Sequence, residues 1–181
     1  MKKLISVILV LTLVFALAAC GGKDTTSTPS TPSTSNPTTS TPVVEDKVEE
    51  IKSADLQAFY ESTFVNENMP MMGVMEAEAL DAFYAGLTAL ELKQCIVAMP
   101  MMSAVAAEVA LVEVANADDL AKVEEIFKAR IQTQVDGGAW YPATIEAWEK
   151  NAEIITHGNT MMMIVLDPKD DVVKAFNELF A

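Results

Sequence analysis

The chain has 181 residues, of which 51% are hydrophobic, and twenty-six acids against twelve Lys plus Arg give a net charge of −14. So acidic a surface offers no basic patch to neutralise phosphates, which argues against nucleic-acid binding. One His and two Cys leave little material for a Cys/His metal centre or a disulfide framework.

The first element is an address. Lys2 and Lys3 precede an apolar run from Leu4 to Ala18, which ends in Leu17-Ala18-Ala19-Cys20. The run suits a secretory signal and is short for a membrane span, which needs ~20 apolar residues. Small residues before a Cys resemble a bacterial lipobox. That resemblance implies cleavage after residue 19 and a diacylglycerol thioether on Cys20. One acyl chain anchors only marginally, whereas two or three hold a protein stably. The mature chain would carry ten cationic side chains against twenty-six acids, since cleavage removes two Lys and no acid. The membrane is thus an expected partner through the lipid, and the place extracytoplasmic. Residues 20–43 form a tether: thirteen of residues 23–42 are Ser or Thr and four are Pro. Such a composition cannot bury enough apolar surface to order itself. Its reach runs from ~25 Å as a coil to ~60 Å as polyproline II.

Residues 44–181 are predicted to form one domain. A loose apolar stripe predicts a helix over 46–64, which Pro70 and Gly73 in "NENMPMMG" end with a loop. Residues 76–87 read as a short helix. "LELKQCIVAM" over 90–99 and "EVALVEV" over 108–114 read as antiparallel strands. A longer helix is expected over 118–135, with acids in its first turn, Lys128 and Arg130 late, and Asp136-Gly137-Gly138 as its stop. Pro142 opens another helix carrying Ile145 and Trp148. Residues 153–156, a "HGN" turn and 160–166 read as a second hairpin. Asp167 is expected as N-cap and Pro168 as first residue of the last helix, with Val172, Phe176 and Leu179 on its apolar face. The fold class is α+β: a mostly antiparallel sheet of about four strands from two hairpins, with packed helices. "MMMIVL" is apolar on both alternating faces, so both faces should be covered, the second by the N-terminal helices.

"MPMM" occurs twice, at Met69–Met72 and Met99–Met102, with "TMMMIV" at 160–165. Met fills irregular core gaps, and that is the favoured reading. The alternative is a soft-metal, copper-handling site, for which Met69, Met71, Met72 and Met75 are the candidates. Met162 cannot share a strand face with Met161 and Met163. Cys95, in an apolar stretch, reads as a small buried hydrophobe. Arg130 and Gln134 fall inside the apolar arc of their helix, so each needs a partner. Arg130 is either an anion clamp or, the favoured reading, a tie between helix and sheet through carbonyls or a neighbouring acid. Tyr141, after Trp140 and before Pro142, either lines a groove or pins a loop. Asp167, Asp170 and Asp171 lack the spacing of a calcium loop. No nucleophile, zinc-protease, P-loop or dinucleotide motif occurs, so neither an enzyme nor a cofactor is expected.

"AFYAGL", "MPMMSAVAAEVALVEV", "KARIQTQVDGGAWYP" and "AEIITHGNTMMMIVLD", in that order over about 80–180, resemble a bacterial lipoprotein family catalogued as domain of unknown function 4358. Arg130, Tyr141-Pro142 and Gly158 stand where the family pattern has a late helical Arg, a Tyr-Pro step and a Gly before the last strand. The resemblance implies a cell-surface lipoprotein of a Gram-positive bacterium and lends no activity or catalytic residue. The expected function is therefore a tethered ligand-binding or interaction module, whose partner is an unknown envelope protein or small ligand. The alternatives are an envelope assembly factor and the copper-handling lipoprotein.

Overall fold

The computed structural model describes residues 52–181. The signal segment, Cys20, the tether and the first part of the expected 46–64 helix lie outside the described residues.

Five strands form one antiparallel sheet in the order β1-β2-β3-β5-β4. They are β1 Met72–Val74, β2 Leu92–Pro100, β3 Glu108–Val114, β4 Ala152–His157 and β5 Thr160–Val165. Among the described residues five α-helices pack on it: α1 Leu56–Phe64, α2 Ala77–Phe83, α3 Leu120–Thr133, α4 Pro142–Asn151 and α5 Asp170–Glu178. The α+β class and the two hairpins match the sequence reading. The fifth strand, β1, comes from the stretch expected to be a loop. It is only three residues long, and its order comes from pairing with β2, Met72↔Pro100 through Val74↔Ala98.

Strand alternation sorts the core into two layers. Ile96, Ala98, Val109, Leu111, Met162 and Ile164 point to one face, where α1 and α5 cover them with Leu56, Phe59, Phe64, Val172 and Phe176. Val97, Ala110, Val112, Met161, Met163 and Val165 point to the other, covered by α2, α3 and α4 through Leu80, Val123, Phe127 and Trp148. "MMMIV" is thus buried on both faces as its composition demands. The covering differs from expectation: α1 shares its face with the C-terminal helix, while α2 joins α3 and α4 on the other. Truncating any one of the buried Met161–Met163 to Ala would cost about 2–5 kcal/mol.

Two boundaries are corrected. Residues 52–55 are not helical. Asp55 caps α1, its carboxylate accepting from the Ala58 amide at 2.9 Å, and Gln94 of β2 holds the approach by bonding the Leu56 amide and the Ala54 carbonyl. The last helix begins at Asp170, not at Pro168. Asp167-Pro168, a cis peptide, forms the turn leaving β5, and Asp170 and Asp171 take the first-turn positions that the helix dipole favours. Pro100 has no N–H, and the β2–β3 ladder stops just before it, at Ala98↔Val109. The β4–β5 hairpin closes on Gly158 and Asn159, with Gly158 at φ 53°. His157 ties that hairpin to α5, its Nε2 lying 2.7 Å from Asn177 Oδ1 and its ring stacked on Phe180. Among the described residues no helix is long and apolar enough to cross a membrane.

Candidate functional site

Arg130 sits at i+7 from Val123 on the buried stripe of α3, which aims it at the start of β3. There Glu108, the first residue of that strand, is equally buried. Arg130 Nε donates to Glu108 Oε1 at 2.8 Å and Nη2 to Oε2 at 2.7 Å, a two-pronged bond. Tyr84, just past the end of α2, donates its hydroxyl to the same Oε1. The rings of Phe83, Tyr84 and Trp148 lie 5.4–5.7 Å from the guanidinium carbon, a cation held among aromatic faces.

The electrostatics follow from that enclosure. Burial pushes the Tyr84 phenol well above its usual range, and the adjacent Glu108 charge adds to it. Burial opposes the Arg130 charge, but the bonds and charge of Glu108 outweigh it, so its pKa is raised. Arg130 and Glu108 form a buried ion pair whose opposite charges balance.

Two cavities open on either side of this pair, and both are lined by Arg130 and Phe83. One, of about 470 Å³, lies between α2 and α3. The other, of about 400 Å³, lies between the β2–β3 connection, the end of α3 and the start of α4. Gln134, Trp140, Met99 and Met101 line this second cavity. Nε and Nη2 of Arg130 are engaged by Glu108, which leaves Nη1 as the remaining nitrogen of a side chain that borders both spaces.

The corner after α3 shapes the rim. Gly137 has φ 112°, a left-handed position suited to glycine. At Gly138 a Cβ would lie 2.6 Å from the Thr133 carbonyl oxygen and 2.8 Å from Gln134 Nε2, so only glycine fits. Trp140 then emerges 87% exposed. Tyr141 caps α4 with its carbonyl, which accepts from the Thr144 amide and hydroxyl. Of the three candidate residues, the second cavity brings Arg130 and Gln134 together; Tyr141 is half exposed and not among its lining residues.

The methionines of 69–75 divide. Met69 and Met72 pack on the α1/α5 core and Met75 on the opposite one, while Met71 is exposed. Among the described residues no group of three His, Cys, Asp or Glu could hold a metal ion. Cys95 is partly buried, and burial raises its thiol to about 11. Sequence reasoning missed Glu108, Tyr84 and Phe83 by name. The available signal was a pair of misfits: an acid opening a strand destined for burial, and an Arg inside an apolar helical arc.

A family model described as domain of unknown function matches residues 64–166. The match takes in all five strands and the Tyr84–Glu108–Arg130 cluster, and it covers more than half of the 181 residues. No curated protein and no solved structure gives a significant match. The chain belongs to the family of domain of unknown function 4358.

Proposed function

We propose that the chain is a lipid-anchored, extracytoplasmic binding module, and that its ligand sits in the cavity bordered by Arg130, Gln134 and Trp140. The lipobox-like end at Cys20 supports the anchor. The observation that carries the binding reading is a buried Arg whose Nη1 lies outside the Glu108 bonds while its side chain lines a cavity of about 400 Å³. Because Glu108 already balances the charge, a strong anion is a poor fit. An uncharged ligand with an apolar body and a hydrogen-bond acceptor suits Nη1 and the Gln134 amide better. An exposed Trp beside a cavity is a frequent anchor in recognition.

The test is mass spectrometry of the intact protein extracted gently from membranes. Acylated Cys20 and a co-purifying small molecule lost in Trp140→Ala and Gln134→Ala are expected. An unmodified Cys20 would remove the anchor; a ligand retained in both variants would remove the cavity. The exposed Met71, Met101 and Met102 favour a second reading, an envelope factor that acts through protein contacts, and a co-purifying protein in place of a small molecule would select it.

A further inference from the structure

The two "MPMM" repeats lie side by side. The β1–β2 register pairs Met72 with Pro100 and Gly73 with Met99, and the Met101 amide donates to the Met71 carbonyl at 3.1 Å, which sets Met71 opposite Met101. By alternation Met71, Met99 and Met101 share one face of this ribbon, the face of Val97, while Met72 and Ala98 take the other. Cross-strand neighbours have Cβ atoms ~5 Å apart, and diagonal ones ~7–8 Å, within the reach of flexible thioether side chains. Gly73 stands between them without a side chain; of all neighbouring atoms only Met101 Cγ comes as near as 4.0 Å to where its Cβ would be. Met71 and Met101 are 75% and 68% exposed, an unusual state for Met in a domain that buries Met161–Met163 completely. Met99 and Met101 also line the same cavity as Trp140, whose indole face attracts cations.

We propose that Met71, Met99 and Met101 form a thioether site for one soft monovalent ion, Cu(I) or its analogue Ag(I), with the Trp140 indole beside it. Soft thioethers select such ions over harder divalent ones. The acidic chain as a whole favours cation approach. The sequence grouping of Met69, Met71, Met72 and Met75 fails because the strand separates its members; the second repeat supplies the replacements. The site shares Met99, Met101 and Trp140 with the ligand cavity, but Leu at the Met positions keeps the apolar rim and removes only sulfur, so loss of ion binding and loss of a co-purifying ligand are read separately.

The experiment is titration of the chain, in a Cys20→Ser/Cys95→Ser background, with Ag(I), and with Cu(I) against a chromophoric chelator under reducing conditions. One ion should bind per chain, with quenching of Trp140 emission and sulfur neighbours in X-ray absorption. Met71→Leu and Met101→Leu should each weaken binding by about tenfold or more. Met69→Leu, on the opposite core, should leave it unchanged. Binding no tighter than to a peptide of the same composition, or binding that survives Met71→Leu/Met101→Leu, overturns the proposal.

Discussion

Replacing Arg130 by Met separates the tie between helix and sheet from a role in ligand contact alone. Met keeps most of the aliphatic stem and removes the guanidinium. Arg130 and Glu108 side chains are 5% and 1% exposed, so water can replace the missing partner only from the adjacent cavity, which both line. Glu108 would keep only the Tyr84 hydroxyl, having lost two charged hydrogen bonds. Breaking one side of such a buried pair costs about 3–5 kcal/mol, a large share of the ~5–15 kcal/mol that holds a typical domain. Removing both charges together is far milder. Arg130→Met/Glu108→Gln, which keeps an acceptor for Tyr84, should therefore recover most of the loss. The assay is urea denaturation followed by circular dichroism, read as a double-mutant cycle. A loss below ~1 kcal/mol in Arg130→Met, or a double variant no more stable than Arg130→Met, would refute the structural pairing and leave Arg130 to a ligand.

Two further outcomes follow from burial and close approach. Burial holds the Cys95 thiol at about 11 rather than 9, so peptide mapping after alkylation at pH 8 should find it unmodified in native protein and modified in urea. A raised folded pKa means that this contribution is fully present below about 9 and is lost as pH climbs through about 11. The loss is at most ~3 kcal/mol, and Cys95→Ala should abolish that part of the alkaline decline. Gly138→Ala would place a methyl 2.6 Å from the Thr133 carbonyl oxygen. It should cost about 1–3 kcal/mol and shift Trp140 fluorescence, because the corner that presents the indole must open.

The sequence carried most of the fold because its signals were local. The alternation in "EVALVEV", the long apolar stripe ahead of Asp136-Gly137-Gly138, and Pro142 at a helix start each report on one element. The expected 108–114 strand coincides with β3, and Pro142 does open α4. What escaped depends on contacts distant in sequence. β1 is three residues whose extended state comes from pairing with β2, and a Pro and a Gly hide it among turn signals. The hold of Gln94 on the approach to α1 joins residues about forty apart. At the site, Arg130 and Gln134 stood out as polar residues in an apolar arc. The acid that answers Arg130 lies twenty-two positions earlier on another element, and the sequence alone offered several acids for the role.

The pairing also bears on what the cavity can select. Two readings of Arg130, a structural tie and a clamp, looked exclusive while its partner was unknown. On the binding reading proposed above, the two become sequential. Glu108 takes Nε and Nη2, so the guanidinium is fixed in direction before any ligand arrives, and little ordering cost falls on binding. The same carboxylate cancels the charge that would otherwise draw carboxylates and phosphates. An Arg held this way acts as a rigid neutral-site donor. Beside it stand Gln134, which can donate or accept, and Trp140, which supplies apolar area. On that reading, specificity comes from shape and from one or two well-placed acceptors, since a ligand that fills the cavity without reaching its donors leaves them unpaired. Weakening Glu108 would then do more than loosen the domain. It would return a free positive charge to the cavity and shift its preference toward anions.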